Sequence, residues 1–413
     1  MPRLSIGRTL LEMNALDGVE KEALREALIN LGFDDVRFTD LSPIGPNRLK
    51  EWVESGYHAD MEWLRNSIEK RLNPDLVLEG ACSAIMLGVN YLPSEAGAAE
   101  QKRWGKYSLY QDYHDTVLKG LKEAGALLEE QFNLGPRDYR YYVDTGPVME
   151  RGWAAASGMG WQGKNGMLIS KTHGNWLLLA TMLTCVPIVP DAPVKKRSGD
   201  DFARVELGAL CGKCRRCIDE CPTDAIVEPG LLDANRCISY QTIENKGVIP
   251  RDLRPGIGSR IFGCDICLDI CPWNRFAKAG RQVLLAKRYS VVELRLLDIL
   301  EMEIDQFREA FRKMPIKRLK LRGLLRNACI VAGNLREESD WSEGRLDSDW
   351  GRRVMNALIR LARNEEAMVR PHAVWALFRL WGAEAQVFLA EVRELEDDEE
   401  TLEEYRWWDD GLV

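Results

Sequence analysis

The sequence predicts a multidomain α+β chain, and three observations carry that prediction. Strand-length apolar runs alternate with amphipathic helices up to about residue 195. Two cysteine runs fall between 196 and 280, and everything from 281 to 413 has helical periodicity. A chain of 413 residues has room for two or three such blocks and a substantial core.

In the first block, 1–195, Val19 to Leu31 is amphipathic and Gly32 is placed to stop it. Arg48 to Gly56 and Met61 to Ser67 carry apolar positions at helical spacing, and Asn73-Pro74 closes the region. Ala84 to Val89 (A-I-M-L-G-V) reads as a buried strand. Asp115 to Phe132 is an amphipathic helix, Tyr139 to Val143 a strand and Pro147 to Ser157 a helix. Met167 to Ser170 and Trp176 to Leu183 are expected to pair as a hairpin. The apolar stretch from Trp176 to Val189 contains Pro187 and is too short to span a bilayer.

Two local motifs here point nowhere. Gly158-Met-Gly160-Trp-Gln-Gly163 matches G-x-G-x-x-G, yet a dinucleotide loop must follow a strand and open a helix, and here the order is reversed. Asp144-Thr145-Gly146 has the aspartic-protease tripeptide, but that chemistry needs two such carboxylates and the tripeptide occurs once. Without further argument Asp144 is a turn residue or helix cap ahead of Pro147.

The second block, 196–280, carries the chemistry. Cys211, Cys214 and Cys217 fall at two-residue intervals, Cys221 follows after three more, and Pro222 comes next. That is the ligand run of bacterial two-cluster [4Fe–4S] ferredoxins, whose fourth cysteine serves the other cluster. A second run, Cys264, Cys267 and Cys271 with Pro272, has Ile261 where a regular copy has cysteine, and Cys237 is the substitute. The crossed assignment gives Cys211, Cys214, Cys217 and Cys271 to one cluster, and Cys221, Cys237, Cys264 and Cys267 to the other. Structural zinc prefers two separated C-x2-C pairs. Disulfides need an oxidising compartment, and the first residues (M-P-R-L-S-I-G-R) form no apolar export core, so a cytoplasmic protein is expected. Cys82, Cys185 and Cys329 sit among apolar residues and are expected to be buried.

The third block, 281–413, opens with an expected capping box, Ser290 with Glu293. Leu324 to Leu335 and Arg370 to Gly382 share a pattern, with Ala328 and Ala373 in register 45 residues apart, which fits a HEAT-like repeat. Eight bases lie between Arg308 and Arg326 against one acid, Glu309. Lys317, Arg318, Lys320 and Arg322 form the densest part, either a solvated face or a surface that neutralises phosphates. The net charge of −8 does not oppose this, because Glu391 to Val413 alone carries −9. That acidic tail is expected to be solvated and mobile.

Two clusters deliver electrons singly, so a redox partner site in the first block and a substrate held partly by the third make a coherent design. The order of Glu69-Lys-Arg71-Leu-Asn-Pro74, Asp112-Tyr113-His114, Tyr142-Val-Asp144-Thr-Gly146, Gly163-Lys164-Asn165, both cysteine runs, Arg236-Cys237-Ile238-Ser239 and Arg326-Asn327-Ala328 resembles the epoxyqueuosine reductases. These are cobalamin-dependent enzymes of tRNA queuosine synthesis. The resemblance implies a nitroreductase-like cobalamin (vitamin B12) domain, a two-cluster module and HEAT-like repeats that help hold tRNA. It implies reduction of the epoxide on the wobble base to an alkene, with electrons from an external one-electron donor. It implies Asp144 as proton donor, Arg71, Asp144, Lys164 and Asn165 at the cobalamin, and Lys246 on tRNA. An acid at 144 must be protonated near neutral pH, which calls for burial. A monomer is expected. The rival expectations are a corrinoid reductive dehalogenase and a non-catalytic ferredoxin-type electron carrier.

Overall fold

The computed structural model describes residues 14–42, 48–95, 101–194, 207–337 and 348–411. The extreme N-terminus and the 195/196 block boundary lie outside the described residues. By packing, the chain forms two compact units, each built from non-adjacent segments. The first comprises 1–99, 110–234 and 266–287, and the second 100–109, 235–265 and 288–413. The cysteine-bearing stretch therefore contributes to both.

The first unit is built on a four-stranded antiparallel sheet. Helix α1 (Gly18–Asn30) starts at Asp17, whose carboxylate accepts the Gly18 N–H, and Gly32 at φ 113° follows its end. Strands β1 (Asp35–Asp40), β2 (Ser83–Asn90), β3 (Tyr139–Val143) and β6 (Leu177–Thr184) take the order β1-β2-β6-β3. Every residue of β2 is buried. Ala84 and Met86 pack with Trp153 and Ala154 of helix α3 (Glu150–Ala156), while Ile85 and Leu87, pointing the other way, are equally buried. Cover on both faces explains why this strand reads as an unbroken apolar run. The long helix α2 (Tyr113–Phe132) lies against β3.

The expected hairpin between 167–170 and 176–183 does not form. Strand β5 (Leu168–Ile169) pairs instead with β4 (Trp161–Gln162), and Ser170 and Gly174 close a turn that sends β6 into the main sheet. Gly160 permits this pairing, because a Cβ there would stand 2.3 Å from the Ile169 carbonyl oxygen. The glycine motif thus serves close backbone approach. A short ribbon, β7 (Ile226–Glu228) with β8 (Leu231–Leu232), completes the unit. Cys82 is exposed and Cys185 half-buried, against the expectation of burial, and only Cys329 of the three is buried.

The second unit is helical. Its core helices are α4 (Ile238–Ile243), α5 (Leu296–Leu300), α6 (Lys320–Gly333), α7 (Asp349–Leu361) and α8 (Arg370–Trp381). Ala328 and Ala373 are fully buried where α6 packs on α8. The capping box falls later than expected: Tyr289–Glu293 is a 3-10 turn, and α5 begins where Asp298 accepts the Arg295 N–H at 3.0 Å.

The acidic tail is ordered, which corrects the expectation of a mobile segment. Helices α9 (Ala385–Glu394) and α10 (Glu399–Asp409) pack back on the unit, with Tyr405 buried and Trp408 stacked on Phe378 at 4.8 Å. Glu404, 3% exposed, binds Arg254 at 2.7 Å and Arg251 at 3.0 Å. Net charge could not reveal this, since the apolar stripe and one buried acid are diluted by the solvated face. Among the described residues no helix is long and apolar enough to cross a membrane.

Candidate active site and cluster cavity

Within the first unit, Cys211, Cys214, Cys217 and Cys271 line one cavity of about 280 Å³, together with Pro272 and Trp273. Tight turns deliver them: Cys211 N–H donates to Gly208, Cys214 N–H to Cys211, and Cys217 sits in the one-turn helix Arg216–Asp219. Burial, and then the nearby Cys211, Cys214 and Cys271, push the Cys217 thiol up to about 11. The four thiols surround the cavity without meeting at a point. Among the described residues no three His, Cys, Asp or Glu side chains could share one metal ion. Thiols placed around a volume fit a cluster cube better than a tetrahedral zinc.

Lys164 and Asn165 act on this cavity. The Lys164 ammonium donates to the carbonyls of Gly212 (2.7 Å) and Cys214 (3.0 Å), strapping the first cysteine loop. Asn165 is 5% exposed and donates to Cys267 O at 3.2 Å and Asn175 at 3.0 Å. Cys221 and Cys267 belong to the first unit, Cys237 and Cys264 to the second. Ile261, at the position of the missing cysteine, is a fully buried core residue of the second unit.

A second constellation surrounds Asp144. Strand β3 ends at Val143 and the chain turns, with Asp144 at φ 60°. Gly146 makes the turn possible, because a Cβ there would lie 2.3 Å from the Tyr142 ring. Helix α3 starts only at Glu150, after Met149, so Asp144 caps no helix. On the neighbouring helix Asp112 is the N-cap of α2, accepting the His114 N–H. This places Tyr113 and His114 in the first turn, facing Asp144. The Tyr113 hydroxyl donates to Asp144 Oδ2 at 2.7 Å, and His114 Nε2 stands 3.7 Å from the same oxygen. His114 Nδ1 is 2.7 Å from Asp112. Burial works against a charged ring, but the hydrogen bond to Asp112 and the nearby Asp144 carboxylate outweigh it and push His114 up to about 9.

The Asp144 side chain is 60% exposed, which corrects the expectation of burial. The acid whose carboxyl is pushed up is a different, half-buried one. Glu150 accepts the Asp144 N–H at 3.2 Å, and burial, then the Asp144 charge, push its carboxyl up to about 8. Arg71 donates to Val148 O at 3.0 Å and to Ser67 Oγ at 2.9 Å, holding the far end of the turn. Arg151 donates to Gly166 O at 2.7 Å. Glu150 and Arg151 are crowded by protein yet reach solvent, as groups on a cleft wall do. Sequence reasoning gives Tyr113 and His114 no role and misses Glu150. No sequence signal marks it, because the pattern places the helix start at Pro147 and α3 begins at Glu150.

The basic residues lie in the second unit. Lys317, Arg318 and Lys320 are exposed and Arg322 is partly so, around the turn Pro315–Leu319 and the start of α6. Arg318 pairs with Glu244 at 3.2 Å and Arg322 with Glu366 at 3.0 Å. Lys246, two residues beyond Glu244, is exposed. Arg326, counted in the same basic run, is no part of a solvated face. It is fully buried and donates to the carbonyls of Gln241, Asn245 and Gly247 at 2.8 to 2.9 Å.

Two family models match the chain: a 4Fe-4S double cluster binding domain over residues 210–274, and epoxyqueuosine reductase QueG, DUF1730, over 71–145. The epoxyqueuosine reductase of Vibrio cholerae is 34% identical over 362 residues, covering 86% of this chain and 90% of that protein. The chain belongs to the epoxyqueuosine reductase family. The Escherichia coli member is 31% identical over 375 residues, 89% of this chain and 90% of its own length. A solved epoxyqueuosine reductase with an epoxyqueuosine-modified tRNA-Tyr stem loop superposes with TM-score 0.75 at 26% identity, covering 94% of this chain and 98% of that one. The Bacillus subtilis structure, with its catalytic loop swung out of the active site, gives TM-score 0.76 at 26% identity, covering 94% and 98%. In this epoxyqueuosine reductase family member the first matched segment runs from Arg71 to just past Asp144, and the second contains all eight candidate ligands.

Proposed function

We propose that this protein reduces epoxyqueuosine to queuosine at the wobble position of tRNA. The observation that carries the proposal is family membership over nearly the whole chain, joined to a proton-bearing constellation at Asp144 in the same unit as a four-thiol cavity. The net reaction takes up two electrons and two protons, converts the epoxide to an alkene and releases water. Two [4Fe–4S] clusters pass the electrons singly from an external reductant. Cys211, Cys214, Cys217 and Cys271 hold one. The second set, Cys221, Cys237, Cys264 and Cys267, rests on spacing.

The exposed surroundings of Asp144 suit cobalamin in offering hydrogen-bond donors and acceptors at the surface of the first unit. When bound, cobalamin supplies a strongly reducing cobalt centre. Arg71 and the turn it fixes would hold it. Lys164 and Asn165, expected at the cobalamin, are tied instead to the loops of the cluster thiols and would act through them. Opening the epoxide leaves an alkoxide, and Asp144 delivers the proton that lets oxygen depart as water. His114, positively charged at neutral pH, stands 3.7 Å from that carboxylate and can return the proton.

The first unit is nitroreductase-like in this proposal, and the packed pair α6 and α8 is HEAT-like. Blocks 1–195, 196–280 and 281–413 then divide the work into catalysis, electron supply and substrate grip. Lys246, Lys317, Arg318, Lys320 and Arg322 neutralise tRNA phosphates. The protein acts as a cytoplasmic monomer. The test is nucleoside analysis of tRNA from cells lacking the gene: epoxyqueuosine should accumulate and queuosine vanish. Unchanged queuosine overturns the proposal.

A further inference from the structure

The Asp144 turn is fastened at two points. Arg71 holds the Val148 carbonyl at 3.0 Å, and Glu150 accepts the Asp144 N–H at 3.2 Å. Only the second fastening is made by a group that can change charge near neutral pH. Three acids crowd this corner: Asp112 and Asp144 flank the His114 ring, and Glu150 sits behind the turn. Facing them are Arg71, Arg151 and His114, with the Tyr113 hydroxyl donating to Asp144. The Asp144 N–H and the two arginines favour an ionised Glu150, but burial and then the Asp144 carboxylate prevail and push its carboxyl up to about 8.

We propose that Glu150 is a positioning residue for Asp144: its carboxyl accepts the Asp144 N–H at 3.2 Å and so fixes the turn that presents the Asp144 side chain to Tyr113 and His114. Asp144 has a left-handed backbone, which Asp tolerates only with local support. While Glu150 is neutral, attraction between Asp144 and His114 is unopposed. Once Glu150 ionises its hold on the Asp144 N–H strengthens, but the two carboxylates now repel each other, and that repulsion turns the Asp144 side chain away from Tyr113 and His114. The turn therefore carries its own alkaline limit, separate from the proton that Asp144 delivers.

This inference rests on the proposed reaction for its kinetic arm alone. Its first test uses the protein without tRNA: infrared titration of the unsubstituted chain and of Glu150→Gln. The unsubstituted chain should show a protonated-carboxyl band at pH 7 that disappears around pH 8, and Glu150→Gln should lack it. The second test is the pH profile of single-turnover reduction. Glu150→Gln, a permanently neutral acceptor, should hold its rate above pH 8 where the unsubstituted enzyme declines. Glu150→Ala, which cannot accept the N–H, should be slower by about tenfold at every pH, with iron content and cobalamin binding retained. Rescue by Gln and not by Ala is the mark of positioning. The inference is overturned by absence of the band, by a Gln variant inactive at every pH, or by an Ala variant with a normal profile. If the unsubstituted chain shows the band but never reduces epoxyqueuosine, the proposed reaction fails and the protonation of Glu150 stands.

Discussion

His114 in the first unit and His372 in the second carry the same ring in opposite electrical settings. His114 lies between two carboxylates, which overcome its burial and push it up to about 9. His372 is fully buried, with Nδ1 2.8 Å from Met368 O and Nε2 accepting the Ile249 N–H at 3.0 Å. Burial, then the nearby Arg254 and Arg326, hold it well below its ordinary value. The contrast extends to whole neighbourhoods. Around Asp144, protons are contested between groups close to neutrality. Around His372, Arg326, Asn327 and Asn334 spend their donors on carbonyls of residues 241–258 and Ile261, so no charge changes at working pH. One region gathers groups whose charge can change near neutrality, and the other spends its donors on the Cys237–Cys264 segment of backbone.

The largest expected effect lies on the first side of that contrast. Asp144→Asn should bind cobalamin and tRNA and keep its iron, yet turn over at least about a hundredfold more slowly, because an amide cannot supply the proton. Single-turnover kinetics measures this. A near-normal rate would make the Asp144 constellation as structural as that around His372.

On the second side the expected effect is on stability. Glu404→Leu leaves Arg254, 1% exposed, without its carboxylate. Breaking a buried pair by removing one partner costs about 3–5 kcal/mol. Thermal or urea unfolding should show a loss of that size, whereas a change below about 1 kcal/mol would mean that the tail is only loosely attached.

These two sites differ in how far the sequence disclosed them. Strands β2, β3 and β6 and helices α2, α6 and α8 were legible from their apolar patterning, but β1 (Asp35–Asp40), whose sequence D-V-R-F-T-D mixes charges into a short strand, was missed. The double-cluster segment was legible because ligand spacing is fixed by cluster chemistry. The pairing of β4 with β5 was not, because two-residue strands carry no periodicity and the deciding contact is the close approach at Gly160. Asp144 was singled out through resemblance, but its exposure and its contact with Glu150 depend on where α3 begins. Arg326 shows the same limit: a basic run gives charge and not orientation, and its position on the inner face of α6 turns a phosphate candidate into a backbone clamp.

A smaller effect separates Arg326 from its exposed neighbours. Replacing Lys317, Arg318, Lys320 and Arg322 together by Ala should weaken tRNA binding and flatten its salt dependence by up to about 3.6 in logarithmic slope, about 0.9 for each phosphate no longer neutralised. The pairs with Glu244 and Glu366 engage Arg318 and Arg322 in the free protein, so the measured change should fall below that ceiling. Iron content should not change. An unaltered salt slope would return these residues to the role of a solvated face.

The smallest effect tests the histidine contrast directly, through the pH dependence of unfolding. His114 is raised from 6.5 to about 9, so the folded state binds its proton more tightly than the unfolded chain. Its contribution is complete below pH 6.5 and is lost as pH rises through about 9. His372 is depressed, so the unfolded chain takes the proton first. Its contribution is present above pH 6.5 and is lost as pH falls below that value, because a protonated Nε2 cannot accept the Ile249 N–H. Each slope is at most about 1.4 kcal/mol per pH unit for one proton. His114→Gln should therefore flatten the alkaline limb of the stability curve, and His372→Gln the acid limb. If both substitutions act on the same limb, the two rings share one electrical setting and the division between a region of changeable charge and a fixed one is lost.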